Sequence, residues 1–319
     1  MTTQQPRATQ PPNEPRVTKG ARKVETLRRP FFAFRSARNA FRAFLSSLNL
    51  GKAAILLPDY VGWSPREGSG VADPLDELGL SYRFYRLGAT LEIDRENLAE
   101  EIARGDVRVV LLIHYFGYPA SGYAEAVSLA HEAGALVVED QAHSALTDWM
   151  GGKTGSLGDA SIYSLHKLLP VAEGGLLVVR PPLDQAIAPT AQAAGITLPW
   201  AYDLRAIAAR RTANATLLAE RLEALASRVQ PLFPTAAPGV VPQTFPVRLL
   251  HANRDQVYEQ MNAAGFGVVS LYHTLIQRIE ASAHPLTHAL SRQILNLPVH
   301  QDADEHALEE LVVHLSALV

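Results

Sequence analysis

The chain has 319 residues, of which 47% are hydrophobic and 19% are charged, and its formal net charge is -3. This profile is typical of a globular protein with a large core, and it excludes a strong overall field for nucleic acid or an anionic membrane. The absence of cysteine excludes disulfides, thiolate catalysis and cysteine-based zinc sites. No apolar run approaches the roughly 20 residues of a membrane span, so we expect a cytoplasmic protein without a membrane partner.

The N-terminal segment, residues 1–29, is rich in Pro, Gln, Thr and Arg and has no apolar core of a secretory signal. It carries seven basic residues and two acids. We interpret it as a disordered, solvated leader, with an electrostatic contact arm as the alternative.

The next segments alternate between apolar strands and amphipathic helices, which predicts an α/β fold. The predicted helices are residues 36–49, 94–104 (with Asp94 as N-cap) and 123–133. The predicted strands are residues 53–57, 82–87, 107–114, 136–139, 160–164 and 176–179. Because these strands are apolar throughout, we expect a mostly parallel central sheet that helices cover on both faces.

The pattern changes after Arg180, where prolines interrupt the chain. A long helix over residues 204–227 is followed by a strand at 245–250, a helix at 254–264, an extended segment at 268–272 and a last helix at 304–318. We therefore predict a large domain over residues 30–195 and a small C-terminal α+β domain over residues 196–319.

Lys167 and Asp140 carry the strongest chemical signal. Lys167 lies between two predicted buried strands, and burying an unpaired ammonium is costly unless its pKa falls. A neutral amine is a nucleophile toward a carbonyl. Asp140 ends another apolar strand, at the edge where α/β folds bind ligands. A lysine that forms a Schiff base and an acid that pairs with a pyridine nitrogen are what pyridoxal phosphate (PLP) requires.

Two other motifs in this region do not fit their usual context. Gly152-Lys-Thr154 resembles a phosphate-binding loop, but the first glycine of that motif falls at Thr147 and no helix is predicted after it. Ser164-Leu-His-Lys167 resembles an acyl-transfer motif, but Ser164 is at a strand end. We interpret residues 151–159 as a glycine-rich hairpin.

The ordered motifs around Lys167 resemble the DegT/StrS family of PLP-dependent sugar aminotransferases, within fold type I of PLP-dependent transferases. The matching motifs are Val138-Glu-Asp140-Gln-Ala-His143, Gly155-Ser-Leu-Gly-Asp159, Ser164-Leu-His-Lys167 and Glu173-Gly-Gly175. The short loop after Lys167 is similar to one branch of that family. Weaker similarity runs from about Phe31 to the C-terminus.

The resemblance implies a role for each matching residue. Lys167 is the catalytic residue that holds the cofactor and shuttles a proton, and Asp140 pairs with the pyridine nitrogen. His143 contacts the ring or its 3-oxygen, and Ser164 binds the phosphate.

The resemblance also implies residues at the start of the first helix and after Pro58. Ala37 and Arg38 open that helix, where backbone N–H groups suit an anion. An aromatic residue is expected against the cofactor ring, with Trp63 as first choice and Tyr60 as second. The further candidates for substrate contacts are His114, Tyr272, His273 and His300.

The implied reaction is transamination from an amino acid, with glutamate as the expected donor, to a keto group on a nucleotide-linked sugar in polysaccharide biosynthesis. The expected assembly is a homodimer. One family feature is missing: a Gly-x-Asn-x-Arg segment that reaches the partner's phosphate is replaced by residues 196–205. Two alternatives stay open, namely a dehydratase-like PLP enzyme and a non-catalytic regulatory member of the family.

Overall fold

The computed structural model describes residues 31–187, 195–233 and 237–319. The predicted leader lies outside these residues. Within the described chain, none of the helices is long and apolar enough to cross a bilayer.

The chain alternates strands and helices through its first half and then builds a second, smaller sheet. The strands are β1 (Phe31–Phe34), β2 (Ala54–Pro58), β3 (Ser81–Tyr85), β4 (Val107–Ile113), β5 (Leu136–Asp140), β6 (Ala160–Ser164), β7 (Gly175–Val179), β8 (Val229–Pro231), β9 (Thr244–Leu249) and β10 (Ile294–Pro298). The helices are α1 (Ala37–Ser47), α2 (Ala72–Glu77), α3 (Arg95–Ile102), α4 (Tyr123–Glu132), α5 (Ala145–Gly151), α6 (Leu204–Leu222), α7 (Arg254–Ala263), α8 (Pro285–Ser291) and α9 (Glu305–Leu318).

The larger sheet has seven strands in the order β1-β7-β6-β5-β4-β2-β3. Five neighbouring strands of this sheet, namely β3, β2, β4, β5 and β6, run parallel to one another. Strand β7 is antiparallel to β6, and β1 is antiparallel to β7. Strands β2, β6 and β7 are buried along their whole length, as expected for a sheet covered on both faces. The α/β architecture with a mostly parallel sheet is therefore confirmed.

The smaller sheet is antiparallel, in the order β10-β9-β8. Alternate residues of its strands, including Phe245, Val247, Leu295 and Leu297, form an apolar cluster with side chains of α6, α7 and α9. This cluster differs from the one beneath the seven-stranded sheet. The predicted domain boundary at residue 195 remains a prediction.

Three local predictions were wrong. Residues 151–159 do not form a hairpin: Gly151 ends α5, and the following loop binds a buried carboxylate instead of a second strand. Residues 268–272 form no strand, because only Val269 pairs with Asn296 and Tyr272 has a φ of 59°. The long helix ends at Leu222 rather than 227.

The start of α1 is packed directly against β7. Ser36 caps the helix by accepting a bond from the Asn39 N–H at 3.2 Å. A Cβ atom on Gly175, the first residue of β7, would lie 2.2 Å from the Ser36 carbonyl carbon and 2.4 Å from the Ala37 nitrogen. Only glycine fits at position 175, and this contact fixes the helix start beside the end of β6.

We expect Gly175→Ala to destabilise the protein by roughly 1–3 kcal/mol, because the added methyl group meets backbone atoms that cannot rotate away. Gly70→Ala is the matched control, since a Cβ atom at Gly70 has no atom within 4 Å. Urea unfolding of both variants checks this. Equal stability of the two variants would contradict the close packing of α1 on β7.

Candidate active site

The candidate site lies where the parallel strands end. Asp140 is the last residue of β5 and Ser164 is the last residue of β6, and the two strands are neighbours. Lys167 follows Ser164 in the turn before β7. Strand pairing aligns Ser164 with Gly175, and Gly175 with Phe34, so that the turn and the start of α1 meet at the same edge.

Lys167 and His143 are in direct contact. The Lys167 Nζ atom lies 3.1 Å from His143 Nε2. His143 is buried, and its Nδ1 accepts a bond from the Phe116 backbone N–H at 3.2 Å. The Phe116 ring stacks on the His143 ring at an interplanar angle of 18°. The histidine is therefore held on one face by a ring and at one nitrogen by a backbone donor.

This arrangement determines where the protons are. Because Nδ1 accepts a bond, a neutral His143 carries its proton on Nε2. That N–H can donate to the lone pair of Lys167 Nζ when the lysine is deprotonated, and it has no lone pair to accept from the protonated lysine. Burial lowers the pKa of His143 well below its usual value, and the Lys167 charge lowers it further, in agreement with a neutral ring.

Lys167 is not buried as the sequence predicted; the residue is exposed. Its amine is nevertheless crowded by protein, and this desolvation lowers the pKa of Lys167 while the Asp140 and Glu67 charges oppose the effect. The physical reason is the turn: Lys167 lies beyond the strand, so its stem reaches solvent while its amine faces the cleft.

Asp140 is half-buried, and its Oδ1 accepts a bond from the Ala142 N–H at 2.8 Å. The pKa of Asp140 is raised because burial is the largest influence on it, although the Ala142 bond and the Lys167 and His114 charges partly offset burial. A partly desolvated carboxylate of this kind gains from pairing with a protonated ring nitrogen.

The residues of the predicted phosphate site come together. Ala37 and Arg38 are the first two residues of α1, and their N–H groups have no partner inside the helix. Ser164 is buried, with its hydroxyl 3.3 Å from His166 Nδ1. The Arg38 side chain points elsewhere: it pairs with Asp73 at 3.2 Å and donates to the Glu67 carbonyl. A phosphate at the predicted site would therefore meet backbone N–H groups and a hydroxyl rather than the Arg38 guanidinium.

The two aromatic candidates occupy different environments. Trp63 is 43% exposed, whereas Tyr60 is fully buried. The Tyr60 ring contacts Tyr115 and Tyr272. The Tyr272 ring also contacts His143, edge-on, with 5.8 Å between the two ring centroids. Which ring faces the cofactor remains a prediction.

The other candidate histidines bond to other groups. His114 is buried and bonds through Nε2 to Glu139 at 3.0 Å. The Nδ1–H of His273 donates to the Ser270 carbonyl at 2.6 Å. His300 Nδ1 lies 4.0 Å from Oδ2 of Asp302. Of the segment that replaces the missing clamp, Ile196 packs beside Gly174, next to the lysine turn.

Glu139 is a structural residue that sequence reasoning missed. Its carboxylate is fully buried and accepts bonds from two side chains that follow β4 and β5 and from the backbone of the glycine-rich loop at residues 152–159, called here the glycine loop. These donors are His114 Nε2 at 3.0 Å, Gln141 Nε2 at 3.2 Å, and the backbone N–H groups of Gly155 at 2.7 Å, Leu157 at 3.1 Å and Gly158 at 2.6 Å. These hydrogen bonds explain the spacing of the Gly155-Ser-Leu-Gly-Asp159 motif. The sequence showed the motif but did not show that its partner is Glu139.

The residues present fit PLP: an amine of lowered pKa, an acid at a strand end, and an anion cradle share one edge. In addition, Gly175 leaves no room between the cradle and the lysine turn for a side chain. In such a site PLP would be held by Lys167, Asp140, Ser164 and the first turn of α1.

Comparisons with known proteins agree with this geometry. A model of the DegT/DnrJ/EryC1/StrS aminotransferase family matches residues 87–202 and 190–316. The spore coat polysaccharide biosynthesis protein SpsC of Bacillus subtilis (strain 168) is 29% identical over 167 residues, which are 49% of this chain and 41% of that protein. The matched region thus spans less than half the length of this curated relative.

Two solved structures are similar over most of the chain. The PLP form of Spr1654 from Streptococcus pneumoniae has a TM-score of 0.76 at 15% identity, over 91% of this chain and 87% of that chain. DesI, solved in the presence of its TDP-sugar product, has a TM-score of 0.73 at 20% identity, over 91% and 80%. These likenesses establish the fold, which is that of the PLP-dependent aminotransferases.

We expect Glu139→Gln to destabilise the protein by about 3 kcal/mol at neutral pH, because an amide cannot accept from all these donors. Burial opposes ionisation of Glu139, but the His114 bond and the backbone donors outweigh it and lower its pKa. Its stabilisation is therefore present above the unfolded pKa of about 4.3 and is lost as the pH falls through the lower folded value.

Unfolding curves between neutral and acid pH check this, with Glu132→Gln on the surface of α4 as the charge-matched control. The difference in unfolding free energy between Glu139→Gln and Glu132→Gln should become smaller as the pH is lowered. A gap that stays constant down to the acid limit would show that the carboxylate charge is not the stabilising feature.

Proposed function

Because the chain belongs to the DegT/DnrJ/EryC1/StrS aminotransferase family, we propose that it is a transaminase that moves an amino group to a sugar. The family is PLP-dependent. Glutamate is the proposed donor, and a keto group on a nucleotide-linked sugar is the proposed acceptor. The observation that carries the proposal is the contact between the Lys167 amine and the Nε2–H of His143.

Bound PLP supplies a carbonyl carbon that accepts an amino group and a ring that takes up an electron pair. The rest of the chemistry belongs to the chain. Lys167 Nζ is the base that takes the proton from the α-carbon of the amino donor, and its lowered pKa keeps more of it unprotonated at neutral pH.

Asp140 and His143 position charge and hydrogen around that amine. The Asp140 carboxylate holds a proton on the ring nitrogen, and the Lys167 charge helps to keep that carboxylate ionised. His143 presents Nε2–H to the cleft, since the Phe116 N–H fixes the other nitrogen as an acceptor. Phe116 has a φ of 57°, so the backbone is strained where it orients this donor.

The name of SpsC and the TDP-sugar bound by DesI support a sugar acceptor and a nucleotide linkage. As part of the same proposal, the protein acts as a homodimer in the cytoplasm, in the synthesis of a polysaccharide. A chain without cysteine suits a reducing compartment.

Lys167→Ala should abolish the visible absorbance that appears when the protein is mixed with PLP. Removing the amine removes the atom that bonds the cofactor. Lys52→Ala, at an exposed lysine outside the site, should keep the absorbance. Circular dichroism of both variants shows whether they are folded. An unchanged spectrum in folded Lys167→Ala would refute the assignment of Lys167.

Glutamate added to the PLP-bound protein should yield about one 2-oxoglutarate per site, together with loss of the visible absorbance. Asp140→Asn should slow this half-reaction by roughly 10²–10³-fold, because a neutral amide cannot hold the ring proton. Stopped-flow absorbance measures the rate. PLP binding without any keto acid, across a panel of amino donors, would instead favour the dehydratase-like or the non-catalytic alternative.

A further inference from the structure

Residues 63–68, named here the 63–68 loop, begin at the wall of the cleft. Gly62 pairs with Leu275, and the Trp63 N–H donates to the Thr274 carbonyl at 2.9 Å. A Cβ atom on Gly62 would lie 2.8 Å from Cδ1 of Tyr272, the residue whose ring contacts His143. The loop therefore starts against an aromatic side chain of the candidate site.

The far end of the loop is fixed as well. Ser64 and Gly68 exchange two backbone bonds of 3.1 and 2.8 Å, and the Ser64 hydroxyl accepts from the Glu67 N–H at 3.1 Å. Arg38, on the first turn of α1, donates to the Glu67 carbonyl. These bonds use the Glu67 backbone and leave its side chain exposed.

The Glu67 backbone lies beside the first turn of α1, where Arg38 donates to its carbonyl. Desolvation lowers the pKa of both Lys167 and His166, and in each case the Glu67 charge partly offsets it. Because Arg38 is in the first turn of α1, and the start of α1 packs against Gly175 beside the lysine turn, this bond places Glu67 near the candidate site.

Trp63, the first residue of this loop, exposes a large part of its apolar side chain. It is 43% exposed, whereas Trp149, another of the three tryptophans, is 6% exposed and stacks on Tyr163. Because the loop is anchored, little conformational entropy is lost when a ligand covers the indole. The C–H face of a pyranose packs on such a ring, and its hydroxyls donate to a carboxylate.

We propose that Trp63 and Glu67 form the subsite for the acceptor sugar, in which the indole packs on the sugar ring and the carboxylate accepts bonds from its hydroxyls. This inference rests on the proposed function, since it assigns the residues that choose the acceptor. It gives Trp63 a role at the substrate rather than at the cofactor.

Calorimetric titration with UDP-glucose and TDP-glucose tests the subsite, because these probes have the sugar ring but no keto group and are not turned over. The PLP-bound protein should bind at least one of them. Trp63→Ala should weaken binding by about tenfold and Glu67→Gln by about threefold. Glu125→Gln, which makes the same charge change on the exposed surface of α4, should leave the affinity unchanged.

Four results would overturn the proposal. The first two are no binding of either probe and equal affinity of Trp63→Ala and the parent protein for the probe. The third is equal affinity of the parent protein for UDP and for UDP-glucose, since the sugar ring would then contribute nothing to binding. The fourth is a change of oligomeric state in Trp63→Ala, which would mean that a second copy covers the indole. The glutamate half-reaction separates this failure from failure of the proposed function, since it needs no acceptor. A protein that passes that test and fails this one keeps its reaction but loses this subsite.

Discussion

The buried carboxylate of Glu139 is the interaction on which the site depends. Because side chains alternate along a strand, Glu139 faces the interior while its neighbour Asp140 faces the cleft. An unpaired buried charge would be costly, so the N–H donors of the glycine loop and of His114 converge on it. The same bonds hold the loop that leads into β6, and through β6 they fix the position of the lysine turn.

A second constraint determines which nitrogen of His143 carries the proton. The Phe116 N–H can donate to His143 only if Nδ1 is unprotonated, and this leaves a donor facing Lys167. This backbone bond thus selects the tautomer of His143, and the Nε2–H that faces Lys167 favours the deprotonated form of the lysine. The lowered pKa values of both residues have the same cause, namely desolvation in a cleft lined by aromatic rings.

The sequence placed Asp140, Ser164 and Lys167 at or just after strand ends, where the structure also has them, because strand patterns are local signals. Asp140, Ser164 and Lys167 each follow an apolar run, and the ends of neighbouring parallel strands share one edge of a sheet. The central strands and most helices were predicted within a few residues for the same reason. The roles assigned to these residues are implied by family resemblance and remain predictions.

The residues that the sequence did not single out act over long separations. Glu67 comes from a segment that precedes the central motifs, and no spacing rule connects it to Lys167. The Tyr272 ring, which the sequence offered as a candidate for substrate contacts, comes from a segment that follows those motifs and contacts His143. The hairpin expected at residues 151–159 failed for a related reason: its glycines serve a carboxylate on another strand rather than a turn.

The sequence by itself determined the fold class and the order of amine, acid and hydroxyl, because strand periodicity and motif spacing are written in neighbouring residues. Only the tertiary structure decided that Lys167 is exposed and that His143 contacts its amine. It also decided that Arg38 donates to the 63–68 loop instead of facing the predicted phosphate site, and that Trp63 is exposed to solvent. Each of these depends on which distant segments pack together, and that is set by the burial of the whole core rather than by any local pattern.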